Sequence, residues 1–467
     1  MNYPKPLRLL VALAAISLLA TACSDDDDNG DPDAGVEDVM LDEDVMPDED
    51  ADPDEDAGPD EDAGPDADVD ENDEQPEPFD EDCTVALEPG DDASSTYQAA
   101  IEVFIDAEPG DVICFNNGEY SFNDQLSLIV SDVEIRGESR DGVILDFSEQ
   151  DAGSNGIDVS DVDNFTIRSL TVRNTPGNGI EVRRGNGVHF DDLVVEWDGE
   201  PSSDNGAYGL YPVLSENIIV ENSRVFGSSD AGIYLGQSQY AILRNNEAHG
   251  NVAGIEVENS THVDVYENEA HDNTGGILIF NLPDLERKEG RLTRVFDNDV
   301  YNNNRENFAP EGNIVAVVPE GTGIAVVGVQ DVEIFDNDIV DNNSIGVGVV
   351  SYESLPQPTP DDEEYYQYAE RINLHSNNII NAGNDPSGAA LGMIGFSEGP
   401  IPDIVWDGVV NEEENEEDRL NCFSGNVDED DEPSTYINLG AEEGEEFDLG
   451  VNDCTLDPLP AVELNGD

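Results

Sequence analysis

From about residue 130 the apolar residues of this chain recur at every second position in short runs. Val130-Ser-Asp-Val-Glu-Ile and Gly142-Val-Ile-Leu-Asp-Phe are examples, and this is the period of a strand with one buried face. Just upstream the period is helical. Tyr97, Ala100, Ile101, Phe104 and Ile105 share one helix face, Ser95 and Gln98 form a capping-box pair before them, and Pro109-Gly110 ends the run. That pattern predicts one amphipathic helix. No later stretch repeats it, so the remainder is expected to be all-β.

The strands belong to an internal repeat. Ala241-Ile-Leu-Arg-Asn-Asn-Glu-Ala-His-Gly-Asn-Val-Ala-Gly-Ile-Glu-Val aligns with Val263-Asp-Val-Tyr-Glu-Asn-Glu-Ala-His-Asp-Asn-Thr-Gly-Gly-Ile-Leu-Ile, 22 residues on. The frame returns at Thr293, Val332 and Ile372, and more loosely at Phe165 and Ile219. A repeat of this length, made of three short strands and turns, is one coil of a solenoid whose stacked coils bury a continuous core. Asn246, Asn268, Asn298, Asn337 and Asn377 occupy one repeat position, and Asn251, Asn273, Asn303 and Asn342 another five residues later. At a strand spacing of about 4.8 Å, such amides can hydrogen-bond up the column while turning the chain. They are read as structural ladders rather than ligand sites. A leucine-rich horseshoe would require repeated leucines and a helix per repeat, and the sequence has neither.

These coils resemble the parallel β-helix repeats of the pectin-lyase-like superfamily. The stretch from about 94 to 350 is similar to exported β-helix lipoproteins, through Gly206-Ala-Tyr-Gly-Leu-Tyr-Pro-Val, Asp230-Ala-Gly-Ile-Tyr and Asn273-Thr-Gly-Gly-Ile-Leu-Ile-Phe. The resemblance implies a right-handed parallel β-helix with an N-terminal capping helix. It does not carry over a catalytic motif, because relatives of this kind include polysaccharide lyases, alginate epimerases and maturation proteins of nitrous oxide reductase, and one fold hosts many sites.

Strand alternation nominates one face. After the turn glycine, Ile180 and Val182, Ile233 and Leu235, Ile255 and Val257, and Ile277 and Ile279 point inwards, so the residues between them point out. The outward positions are Glu181, Tyr211, Tyr234, Glu256 and Leu278, flanked by Arg183, Glu258 and Phe280. With Tyr208 they form a stripe of aromatics and carboxylates, a composition suited to sugar stacking and acid/base chemistry. Candidate substrate-binding residues are Tyr208, Tyr211, Tyr234, Glu181 and Phe280, and candidate catalytic residues are Glu256 and Arg183. The same stripe would serve equally for ring stacking between coils. Insertions at 198–207, 281–291 and 304–320 interrupt the repeat beside this strand, where binding loops sit on rigid scaffolds.

Two further clusters have structural readings. His249 and His271 share a repeat position and should lie about 5 Å apart, but a metal site needs a third ligand, so they are read as exposed turn residues. Arg287, Lys288, Arg291 and Arg294 could hold an anionic sugar or sulfate, or could neutralise acidic neighbours.

Composition changes the picture of partners. The 467 residues carry 17 Lys+Arg against 110 Asp+Glu, a formal net charge of -93, which excludes nucleic-acid binding because phosphate recognition needs clustered basic residues. Lys5 and Arg8 precede an apolar run from Leu9 to Ala20, too short to span a bilayer. With Ala20-Thr21-Ala22 before Cys23, residues 1–22 read as a signal peptide. The junction resembles a bacterial lipobox, which implies Cys23 as the lipidation site and, with Ser24 following, an outer-membrane lipoprotein. Any membrane contact is then through the anchor alone. An ordinary secretory cut at Ala22 is the alternative.

After Cys23 the linker up to residue 82, of Asp, Glu, Pro, Ala and Gly, holds too little apolar surface to fold. Its 59 residues would span roughly 40 Å as a coil. Residues 83–467 form the β-helix domain, with clear repeats at about 130–385 and an irregular C-terminal cap at 386–467. Cys83, Cys114, Cys422 and Cys454 suit an oxidising compartment and permit three pairings, of which Cys83 with Cys114 and Cys422 with Cys454 is the most local.

Three functions follow as expectations. The first is polysaccharide binding, with modification of the lyase or epimerase type if the protein is an enzyme. The others are a periplasmic assembly factor, which would have a protein or metal partner, and an adhesive stalk. No cofactor is required by the sequence, though calcium would be expected to bridge a polyuronate in so acidic a domain.

Overall fold

The computed structural model describes residues 79, 82–357, 362, 364–440 and 446–464. The signal segment, Cys23 and all of the acidic linker except residues 79 and 82 lie outside the described residues.

Alternation of apolar residues over three short strands per coil produces a stack of parallel strands. In a representative coil, Gln239–Arg244 and Glu247–His249 join one sheet (sheet A) and Ala253–Glu258 joins a second (sheet B). Each strand pairs in parallel with its counterpart one coil on, as Ala241 does with Val263 and Ile255 with Ile277. Among the described residues sheet A has 19 strands and sheet B 11. Inward side chains from both sheets, including Ile180, Leu210, Ile233, Leu243, Ile255, Val265 and Ile277, fill one continuous core with almost no exposure. The all-β, parallel β-helix class expected from the repeats is therefore what the chain adopts.

The corners are built by a recurring pair. A residue at positive φ, such as Asn245 (53°) or Asp272 (54°), reverses the chain, and the next residue is a ladder Asn. Asn and Asp tolerate this region better than other side chains. From Asn268 and Asn273 on, each ladder amide Oδ1 accepts two bonds from the Asn one coil before it, while Asn246 and Asn251 at the start of the columns accept from the Ser223 and Ser228 N–H groups. Asn246 donates to Asn268 Oδ1 through its backbone N at 3.1 Å and its Nδ2 at 3.0 Å. Its Nδ2 also donates to the Val220 carbonyl at 2.9 Å. Both columns are continuous, and the first extends past Asn377 to Asn426 (2.8 Å). A serine column at the third corner, Ser215, Ser238 and Ser260, receives backbone N–H groups at 2.9–3.0 Å in the same way. The sequence pattern did not single that column out.

The ends differ from expectation in detail. Helix α1 spans Ala93–Asp106 and is capped by Asp92 with Ser95, not by Ser95 with Gln98. The Asp92 carboxylate accepts from the Ser95 N–H and the Ser95 hydroxyl from the Asp92 N–H, so the helix starts three residues earlier. Ala100 and Phe104 seal the first coil, whereas Ile105 is 71% exposed. A short second helix, α2, covers Gly388–Ile394. Coils begin at Val85–Leu87 and sheet B continues through Ile404–Trp406 to Tyr436–Asn438, beyond the clear repeats on both sides. Disulfides join Cys83 to Cys114 and Cys422 to Cys454. After Cys454 the chain turns back down sheet A, donating the N–H groups of Leu456, Leu459 and Val462 to Asn373, Glu333 and Asp264.

Candidate functional site

The outward stripe of sheet B is in the register that alternation requires. Glu181 pairs with Tyr211, Tyr234 with Glu256, and Glu256 with Leu278. Tyr208, Tyr211 and Tyr234 form a compact trio, with ring centroids 4.4–5.0 Å apart. The insertions, however, do not merely border this stripe. Leu282 and Leu285 from one insertion, and Phe308, Ile314, Val315 and Val318 from another, pack on Tyr234, Leu278 and Phe280 as a second apolar cluster outside the coil. Tyr234 is therefore 4% exposed, Phe280 3% and Glu256 1%. These three were expected to face solvent. They are buried because apolar side chains of 281–291 and 304–320 cover the strand ends, so none is a direct contact in this conformation.

The open part of the stripe is the rim formed by the strands Ala152–Ser160, Ile180–Arg183 and Tyr208–Val213. Here Arg183 clasps Glu181 Oε1 with two nitrogens, at 3.0 and 2.7 Å. The other oxygen, Oε2, accepts from Asn155 (2.8 Å) and Asn178 (3.2 Å). Asn155 also donates to Asp158 Oδ2 at 3.1 Å. Burial, with the charge of Glu181, raises the Asp158 pKa. Tyr211, half-buried beside Arg183, is pushed up to about 12, chiefly by burial. Tyr208, Tyr211 and Arg183 keep partial exposure, whereas Glu181, also expected to face solvent, is buried at 7% exposure because Arg183 and the two asparagines close over its carboxylate.

The covered part holds three carboxyls without a countercharge. Asp230, immediately before the strand Ala231–Gly236, accepts from Asn313 Nδ2 of the 304–320 insertion at 2.8 Å and contacts the Tyr208 hydroxyl at 3.5 Å. Tyr234 donates its hydroxyl to Glu258 Oε1 at 2.7 Å. Gly236 makes this possible, since a Cβ there would lie 2.2 Å from the Tyr234 ring. Glu256 shares a hydrogen bond with Glu258, and its Oε2 is buried with no partner among the described residues. Burial raises all three: Asp230 to about 7, Glu258 above the usual carboxylate range, and Glu256 further still, helped by the charges of Asp230 and Glu258. No Arg or Lys pairs with any of them among the described residues. A buried charge without a partner is neutralised by taking a proton, so within this coupled group Glu256, the most buried and most strongly raised, takes a proton first.

The two catalytic candidates are thus not brought together. Arg183 serves Glu181, and Glu256 serves Glu258. Asp158 and Asp230 were missed, as was the coupling of Glu256 to Glu258. The available signal for the cover was Asn313-Ile-Val-Ala-Val-Val within an otherwise polar insertion.

Elsewhere, His249 and His271, expected as exposed turn residues, instead end strands of sheet A and are partly buried, because they stack with centroids 5.2 Å apart between Phe226 and Tyr301. Arg287 pairs with Glu216, Lys288 with Asp362, Arg291 with Glu289 and Arg294 with Asp264, so the basic cluster is matched by acids. His189, Asp191 and Glu221 lie close enough to share a cation. Glu221 is already held by Arg244 at 2.6 Å and Asp191 by Asn222 at 2.8 Å.

A family model described as right handed beta helix region matches residues 155–305, in agreement with the resemblance read from the repeats. No curated protein gives a significant match. Solved structures similar to this chain include the A-modules of two mannuronan C-5 epimerases from Azotobacter vinelandii. One is 18% identical over 68% of this chain and 90% of that one, with a TM-score of 0.46. The other is 17% identical over 73% and 90%, with a TM-score of 0.48. The catalytic unit of a GH87 α-1,3-glucanase from Streptomyces thermodiastaticus is 15% identical over 73% of this chain and 50% of that one, with a TM-score of 0.42.

Proposed function

Taking the chain as a right-handed parallel β-helix protein, we propose that it binds polysaccharide along the open rim of sheet B, at the cell envelope. The observation that carries this reading is the partly exposed pair Tyr208 and Tyr211 beside the Arg183–Glu181 clasp, all on a rigid strand ladder. Tyrosines offer an apolar face to sugar C–H groups and a hydroxyl to sugar oxygens. Strands spaced by about 4.8 Å repeat such contacts along a linear chain.

Export and anchoring through Cys23 form part of the proposal. They rest on the short apolar run before Cys23 and on the two disulfides, which suit an oxidising compartment. A second reading, modification of the glycan, is favoured by Asp158, a partly exposed rim carboxyl whose pKa is raised by burial and by the charge of Glu181, since a carboxyl with a raised pKa is suited to general acid/base work.

The test is a binding screen of the purified chain on soluble polysaccharides, with absorbance of unsaturated products followed in parallel. Tyr211→Ala is expected to weaken binding about tenfold, the scale of one lost aromatic contact of about 1.4 kcal/mol. Binding untouched by Tyr211→Ala and by Arg183→Met would remove the rim from the account. Product formation would establish the second reading.

A further inference from the structure

Resting on the reading that the sheet B rim binds a glycan, we infer that this glycan is an uncharged, hydroxyl-rich polysaccharide, held without a bridging cation. The inventory of the rim carries the argument. It contains Asp158, Glu181 and, just inside, Asp230, Glu256 and Glu258, against one guanidinium, Arg183. That guanidinium is already clasped through two nitrogens by Glu181 Oε1. The next basic groups along this edge are also taken, Arg184 by Asp161 at 2.7 Å and Arg287 by Glu216 at 3.2 Å. A uronate or sulfate arriving here would face the Asp158 carboxylate and the clasped Glu181, and would find no free cation among the described residues to neutralise it.

Calcium could rescue a polyuronate only if carboxylate oxygens were free to bind it, since the ion takes six to eight oxygen ligands. Glu181 has none to spare: Oε1 is held by Arg183, and Oε2 by Asn155 and Asn178. Asp158 Oδ2 is held by Asn155. The groups that do remain available are those a neutral sugar uses. Tyr208 and Tyr211 keep part of their ring surface accessible at this edge.

The experiment compares retention of the purified chain on neutral polysaccharides (glucan, mannan, xylan) and on polyuronates (polygalacturonate, alginate), each with calcium and with EDTA. The expected result is binding to at least one neutral polymer, unchanged by EDTA, and at least about tenfold weaker binding to both polyuronates. Glu181→Gln, which releases the Arg183 charge, is expected to raise polyuronate binding. Asp158→Asn serves as the companion variant should Glu181→Gln fold poorly. Preferential binding to a polyuronate, with or without calcium, overturns this inference while leaving the rim as a glycan site. Silence on all five polymers overturns the rim reading and the inference with it.

Discussion

Two groups of carboxyls sit on the same face of sheet B, with Glu256 three coils on from Glu181, and the chain treats them in opposite ways. Asp158 and Glu181 are given Arg183 and two asparagine amides, and Asp158 and Arg183 stay partly open to solvent while Glu181 is buried beneath the clasp. Asp230, Glu256 and Glu258 are given tyrosine hydroxyls, one asparagine and an apolar cover, and no cation among the described residues. The first arrangement keeps charge by pairing it. The second removes charge by protonation, which is the lower-energy outcome when desolvation outweighs every available partner. The lesson is that identical outward positions on successive strands acquire different chemistry from what is laid over them.

The largest effect should come from breaking the paired group. Arg183→Met keeps much of the side-chain volume but leaves Glu181 nearly buried without its counterion. Unfolding in urea at pH 7 should show a loss of about 2–3 kcal/mol, below the full cost of breaking a buried pair because Arg183 is partly solvated. A loss under about 0.5 kcal/mol would mean that the asparagines alone sustain the charge.

The unpaired group should respond in the other direction. The folded pKa of Asp230 is raised to about 7 from 3.8. The folded state therefore keeps a proton that the unfolded chain releases, and stability falls as pH rises from about 4 to about 7. Asp230→Asn removes that slope while preserving an acceptor for Asn313. We expect a gain of about 2 kcal/mol over wild type at pH 8 and little difference at pH 4, read by thermal melts across that range. Equal melting shifts at both pH values would contradict protonation as the cause. The smallest change is Tyr234→Phe, which withdraws one donor from Glu258 and should cost about 1 kcal/mol, measured by urea unfolding at pH 7.

The repeat was legible because its ladders are written in residue type. Asn246, Asn251 and their counterparts recur at one spacing, each followed by alternating apolar residues, and the structure joins each column by amide bonds. The serine column was less visible, since Ser215, Ser238 and Ser260 are also ordinary turn residues. Alternation likewise placed Glu256 and Tyr234 on the outer face, but period two states only which side of a strand a residue occupies. It does not state what covers that side. The cover came from insertions outside the repeat, in which Asn313 reaches a residue 83 positions away in sequence. Asp230 precedes its strand, where alternation no longer assigns a direction. The C-terminal strap over sheet A was equally hidden, since Leu456, Leu459 and Val462 bond through backbone N–H groups that no side-chain pattern records.

The central claim is that the covered group, which has no cation among the described residues, holds a proton on Glu256 at neutral pH. Infrared difference spectroscopy of wild type against Glu256→Gln at pH 7 tests it directly. The account predicts that the wild type shows a protonated-carboxyl C=O band that the variant lacks, and that Glu181→Gln leaves this band in place. If the band is absent from the wild type, or if Glu256→Gln removes only carboxylate absorption, the proton-holding group does not exist and the contrast between the two halves of the face is lost.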